Sequence, residues 1–142
     1  MSKIAAIRVR GDVNLNMGVR DTLNLLKLYR KNYCVVKENT PSTLGMINKV
    51  KDYVTYGEIS DEVYKELLDK RSEEYKGKLQ DSKGKIEYKR FIEANGKKIK
   101  PFFRLSPPRK GFERKGIKVS YNAGGALGYR ADNINELIKR MI

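Results

Sequence analysis

Apolar positions repeat with two different periods along this chain, and the switches between them mark out its elements. In "KIAAIRVRG" (3–11), Ile4, Ala6, Arg8 and Arg10 alternate against Ala5, Ile7 and Val9, the period of two that predicts a strand, closed by Gly11. "NMGVRDTLNLLKLYRKN" (16–32) changes to helical spacing, with Val19, Leu23, Leu26 and Leu25, Leu28, Tyr29 on one wide apolar face. The pattern predicts an amphipathic helix finishing in Arg30 and Lys31, cations suited to the negative end of a helix dipole. "YCVVKEN" (33–39) reads as a second strand. In "TPSTLGMINKVKDYV" (40–54), Thr40 can cap, Pro41 fits the first helical position, and Leu44, Ile47, Val50 and Val54 recur at spacings of three and four. A second helix is predicted, broken by Gly57.

Ser60 can cap a third helix with Asp61 and Glu62 in its first turn and Val63, Tyr64, Leu67 and Leu68 on its inner face. Residues 76–101 are dominated by Lys, Gly and polar side chains, with apolar interruptions at Ile86, Phe91 and Ile92, and predict no regular element. "KPFFRLS" (100–106) predicts a third strand ahead of Pro107 and Pro108, and the alternation of Ile117, Val119 and Tyr121 a further one. "NINELIKRM" (133–141) places Ile134, Leu137, Ile138 and Met141 at i, i+3, i+4 and i+7, and Asn133 with Glu136 has the spacing of a capping box. The order is strand, helix, strand, helix, another helix, then strands and a short helix. The chain divides into a β-α-β-α core over 1–57, an acidic helix over 58–76, a basic extension and loop over 77–118, and a strand, glycine turn and C-terminal helix over 119–142, all within one domain.

Composition narrows the chemistry. At 142 residues and 39% hydrophobic content, the chain has the means to bury a core. No apolar run approaches the ~18 residues of a membrane span, and "MSKIAAIRVRGD" lacks the pattern of a signal peptide, so an intracellular protein is expected. Cys34 is the single cysteine, in an apolar strand where a buried thiol is expected, and there is no histidine. The commonest general base and zinc ligand are therefore missing, no pair of carboxylates is marked as an acid–base couple, and neither an enzyme nor a cofactor is expected.

Charge changes the picture most. The net charge is +14, and it is concentrated: residues 83–118 hold 13 basic and 3 acidic side chains. Within Lys97–Lys118 there are nine cations and one anion, Glu113. Pro107, Pro108, Gly111 and Gly116 keep this stretch out of helix, and Phe102, Phe103 and Phe112 either stack on bases or anchor the loop on the core. A solvated face normally mixes signs, so a polyanionic partner is expected, RNA or DNA before an anionic membrane. A membrane-surface helix would need its cations beside one apolar stripe, whereas this run is broken by Pro and Gly. "NAGGALGYR" (122–130) lacks the Lys and Ser/Thr of a P-loop, and Gly124, Gly125 and Gly128 do not match GxGxxG. It reads as a turn, either plainly structural or bringing backbone, Tyr129 and Arg130 close to RNA. The segment 58–76, with seven acids and four bases, is the acidic exception and is expected to face solvent or a protein neighbour.

"RDTLNLLKLYRKNYCVVKENTPSTLGMINKVKDYVTYGEIS" (20–60) resembles the core of the L-thirty family of large-subunit ribosomal proteins, whose eukaryotic relatives are called L-seven. Its most specific part is "TPSTLGMINKV", with Thr40, Pro41, Gly45, Met46, Ile47, Lys49 and Val50. "RLSPPRKGF" and "GGALGYRADNINELIKRM" resemble the second half found in archaeal members, so the archaeal type is expected. The resemblance covers about 1–60 and 101–142. It implies an α+β fold, with a small three-stranded β-α-β-α-β core similar to ferredoxin-like folds, an added helix and a basic C-terminal extension. It also implies a cytoplasmic, structural, non-catalytic role in the large ribosomal subunit. The implied partners are the large-subunit rRNA, neighbouring ribosomal proteins and the small large-subunit rRNA, with no membrane, small-molecule substrate or metal. The alternative is a general RNA- or DNA-binding protein of chaperone or nucleoid type.

Three groups of residues are candidate RNA contacts. The basic loop offers Arg104, Arg109, Lys110, Arg114 and Lys115; the first two helices offer Arg20, Arg30, Lys31, Asn48 and Lys49; the glycine turn offers Tyr129 and Arg130. Affinity is expected from neutralised phosphates and released counterions, and specificity from rRNA shape.

Overall fold

A computed structural model describes residues 3–11, 15–75, 82–84, 92–94 and 97–142. Strand β1 (Lys3–Arg8) is central and pairs antiparallel with both β2 (Tyr33–Glu38) and β3 (Val54–Ile59). Two very short strands complete the sheet, β6 (Phe103–Arg104) beside β2 and β7 (Gly128–Tyr129) beside β3, in the order β6-β2-β1-β3-β7. A separate hairpin joins β4 (Ile92–Ala94) to β5 (Lys97–Ile99), a strand pair that the polar composition of 76–101 conceals. The apolar interruptions Ile86 and Phe91 lie outside the described residues.

Both faces of the sheet are covered, and the period of two decides which residue goes where. Ile4 and Ala6 of β1, Val35 of β2 and Val54 of β3 pack with Leu23, Leu26, Ile47 and Val50 of α1 (Met17–Leu25), α2 (Pro41–Lys49) and the residues that end these helices. Ala5, Ile7, Cys34, Val36 and Ile59 pack on the other face against Val63 and Leu67 of α3 (Asp61–Arg71) and Ile134, Leu137, Ile138 and Met141 of α4 (Ile134–Met141). Each Val, Leu, Ile or Met among them contributes about 1.5–3 kcal/mol from burial. Cys34 is fully buried, and desolvation pushes its thiol up to about 12.

Three boundaries differ from the sequence reading. Helix α1 stops at Leu25, not at Arg30–Lys31. Lys27 takes a left-handed φ of +66°, the Leu28 N–H donates to the Leu23 carbonyl and the Lys27 N–H to that of Asn24. This is a Schellman cap with lysine in the place usually held by glycine, and buried Leu23 and Leu28 form its apolar contact. The third core strand is Val54–Ile59, not residues 100–106, which supply only the two-residue β6. Val54 continues the helical spacing of Val50, but α2 has ended, and Gly57 lies within the strand. A Cβ there would sit 2.1 Å from the Ala131 carbonyl oxygen, so glycine lets the chain before α4 lie on the sheet. Finally, 117–121 forms no strand beyond a single bridge between Ser120 and Leu127. Asn133 makes no capping bond, because it is wound into a short 3₁₀ turn and donates its side-chain amide to the Tyr121 hydroxyl at 2.8 Å. Thr40 and Ser60 do cap α2 and α3, accepting from the N–H groups of Thr43 and Val63.

Candidate nucleic-acid interface

The strand registers gather the basic segments at one end of the sheet. β1 ends where β2 and β3 begin, with Ile7 opposite Cys34 and Arg8 opposite Val54. β6 ends there too, Arg104 being opposite Tyr33, and β7 begins there, Gly128 being opposite Thr55. Residues 105–127 therefore cross this end from one edge of the sheet to the other. Arg10, Arg30, Lys31 and Lys51 emerge at the same end from the connections flanking β1, β2 and β3. The opposite end carries Glu38, Glu58 and the acidic first turns of α3 and α4, with Asp61, Glu62 and Glu136. Charge is thus polarised along the strand direction.

The crossing segment is built into the fold. Val9 packs with Ala126 and Leu127, and Phe112 closes over them. Phe103 is fully buried, and Phe102 stacks on Tyr33 with ring centroids 5.1 Å apart. All three phenylalanines anchor the chain on its own core. The backbone is pinned to the end of α4, with the Ser106 N–H on the Met141 carbonyl at 3.0 Å and the Arg109 N–H on that of Arg140 at 3.1 Å. Arg140 reaches back to the carbonyls of Arg109 and Gly111 at 3.2 and 2.9 Å. The basic loop and the glycine turn also meet. The Lys115 N–H donates to the Gly124 carbonyl at 3.1 Å, and the Lys115 stem lies 3.2 Å from where a Gly124 Cβ would be.

The proposed contact residues fall into distinct settings. Arg109, Lys110, Arg114 and Lys115 are exposed, and among the described residues none has an acidic partner. Arg20, Arg30, Lys31, Asn48 and Lys49 are exposed as well. Lys49 comes beside the start of α1, its Nζ 3.6 Å from the position of a Cβ on Gly18, while Lys31 runs along Gly11. Arg104 is exposed but ion-paired with Glu73, which also holds Lys100 at 3.2 Å. The hydrogen bond from Arg104 holds the Glu73 carboxyl below the usual carboxylate range. The stretch read as acidic and apart from the cations therefore sends one carboxylate among them.

The glycine-turn pair separates. The Tyr129 ring is exposed, but its hydroxyl donates to Glu58, 2.5 and 2.7 Å from the two carboxylate oxygens. Arg130, read as a surface cation, is 2% exposed. It donates to the Thr55 hydroxyl at 2.7 Å, the Ala126 carbonyl at 2.9 Å and Glu113 at 3.0 Å, and lies 4.7 Å from the Tyr121 ring centroid. Burial pushes its guanidinium below the usual arginine range, and Glu113 opposes that shift. Arg8 is likewise buried, donating to the carbonyls of Arg10 and Leu28 at 2.9 Å. Sequence reasoning missed the structural parts played by Arg8, Glu113 and Arg140. The one available signal was Arg8, a charge on a strand whose neighbours are apolar on both faces.

No group of three or more metal-ligating side chains is arranged around a common point among the described residues, and no helix there is long and apolar enough to cross a membrane. A polarised, pinned cation surface on a βαβαβ core can bind a polyanion. The family model of ribosomal protein L30p/L7e matches residues 4–54, the span from β1 to the first residue of β3. The chain is 46% identical to the large ribosomal subunit protein uL30 of Nanoarchaeum equitans, with all of both chains covered. It is 44% identical to that of Methanopyrus kandleri over 94% of this chain and 100% of the relative, and 42% identical to that of Methanococcus maripaludis over 97% and 98%.

The chain belongs to the ribosomal protein L30p/L7e family. That family is a structural component of the ribosome and not an enzyme. Its α+β, ferredoxin-like core is the β1-α1-β2-α2-β3 unit described above. The archaeal uL30 proteins align across the crossing segment and α4 as well, so likeness to L30p/L7e relatives extends through the cation end.

Proposed function

We propose that this chain is a structural constituent of the large ribosomal subunit and that its cation end grips large-subunit rRNA through Lys and Arg contacts to phosphates. The supporting observation is the exposure of Arg109, Lys110, Arg114 and Lys115 without acidic partners, on backbone fixed by α4. Neutralising phosphates there releases counterions, which supplies sequence-independent affinity. Selectivity comes from shape, since side chains do not enter the deep major groove of A-form RNA, and the pinned loop presents its cations from one backbone arrangement. Lys49, Lys31 and Arg30 extend the contact toward the α1–α2 face, with Arg20 and Asn48 on the helices themselves. The chain would work in the cytoplasmic ribosome beside other ribosomal proteins.

Gradient sedimentation of a native lysate after a moderate salt wash tests this reading. The expected result is confinement to large subunits and whole ribosomes at about one copy each. Spread across all nucleic-acid fractions would instead show a general RNA or DNA binder.

A further inference from the structure

We propose that Glu113, although an anion, strengthens the RNA contact, because it is the positioning residue that fixes the cations around it. The inference rests on the reading of the cation end as the rRNA contact. On charge alone, an acid among nine cations lowers the potential a phosphate meets. The structure shows where that charge is directed. Glu113 Oε1 accepts from Arg130 at 3.0 Å and lies 3.7 Å from Arg140. Arg130 is 2% exposed, so the carboxylate is matched against a buried guanidinium that no phosphate reaches.

Glu113 joins two anchors. Through Arg130 it is tied to Thr55 in β3 and to the Ala126 carbonyl ahead of β7. Through Arg140 it is tied to the turn carrying Arg109 and Lys110, whose carbonyls at Arg109 and Gly111 receive the Arg140 guanidinium. That turn places Lys110 at a φ of +67°, a conformation that non-glycine residues hold only where the surroundings enforce it. Arg114 and Lys115 follow Glu113 directly, and Lys115 is seated on Gly124. Fixing the backbone that carries these side chains before binding removes part of the ordering cost that RNA would otherwise meet.

Positioning and plain electrostatics predict opposite signs. The substitution Glu113→Gln raises the formal net charge from +14 to +15, and counterion release alone would tighten binding. Positioning predicts binding about tenfold weaker at fixed salt. The measurement is the affinity of the purified full chain for deproteinised large-subunit rRNA in magnesium buffer, with folding checked by circular dichroism. Glu136→Gln, the same charge change at the opposite end, should stay within about twofold of the parent. Glu113→Asp should restore part of the loss. Binding by E113Q as tight as the parent's, or tighter, overturns the proposal. Should E113Q fail to fold, Arg140→Met against Lys139→Met decides: these adjacent positions lose the same charge, so weaker binding by R140M supports positioning and equal binding overturns it. A variant with Arg109, Lys110, Arg114 and Lys115 all replaced by Ala separates the two readings. If it binds as the parent does, the RNA contact itself is misplaced. If it weakens while E113Q does not, only the role of Glu113 falls.

Discussion

Tyr129 and Glu58 are joined at the edge of the sheet by a phenol that donates to both carboxylate oxygens, at 2.5 and 2.7 Å. The bond holds the phenol in its neutral form and pushes its pKa up to about 12, from an ordinary value of ~10. Because the folded value is raised, the contact's stabilisation is complete below pH ~10 and is lost as pH rises through about 12. In an absorbance titration, Tyr129→Phe should remove one of the latest-titrating tyrosines, and Glu58→Gln should return Tyr129 toward the ordinary range. Loss of a tyrosine titrating near 10 in the Phe variant would show that the bond does not persist in solution.

The four-alanine loop variant should bind large-subunit rRNA more weakly and depend less on salt. Each lost phosphate contact lowers the slope of log affinity against log salt by about 0.7–0.9, so four contacts predict a slope shallower by about 3. Filter-binding between about 50 and 200 mM salt measures it. An unchanged slope with unchanged affinity means the loop is merely solvated.

Lys27 occupies the left-handed position of the α1 cap, where a side chain costs about 1–2 kcal/mol. Lys27→Gly should recover part of that, less the backbone entropy of glycine, for a net gain of about 0.5 kcal/mol and a Tm higher by about 2 °C. It should also bring Lys37 closer to the ordinary lysine range, because Lys37 is lowered first by burial and then by the charge of Lys27. A lower Tm in thermal unfolding would count against this account of the cap.

Gly57→Ala places a methyl group 2.1 Å from the Ala131 carbonyl oxygen and 3.0 Å from Ile134 Cβ. Neither partner is the free end of a flexible side chain, so β3 and the start of α4 must separate. The expected loss is about 3 kcal/mol or more in denaturant unfolding, against the ~1 kcal/mol of an ordinary substitution. A near-neutral result would mean that α4 packs less closely on the sheet than described.

Much of this molecule is readable from residue spacing, because its central strands and most of its helices obey one period each. Ile4 to Ile7 alternate between two buried faces, and Ile134, Leu137, Ile138 and Met141 mark one helical stripe. Reading failed where tertiary contact overrides local pattern. Val54 fits either period, and only the approach of Ala131 explains why Gly57 belongs in a strand. The alternation of Ile117, Val119 and Tyr121 predicted a strand, but the chain doubles back there, with the Val119 carbonyl oxygen 2.1 Å from where a Gly125 Cβ would be. The basic character of 97–118 was plain, yet its inventory could not separate exposed Arg109 and Lys110 from Arg104 paired with Glu73, and nothing in the glycine turn marked Arg130 as buried. That division depends on partners distant in sequence.

The hydrogen bonds between the basic loop and the end of α4 set an order of events during synthesis. Arg109 leaves the peptidyl-transfer site 31 residues ahead of Arg140, the residue that clamps it. At about 5–20 residues per second, the loop waits roughly 2–6 s for its anchor. Until Arg140 has been added and folded into α4, the turn carrying Arg109 and Lys110 lacks the guanidinium that clamps its carbonyls. The loop therefore takes its final arrangement only once α4 is in place, among the last steps of folding.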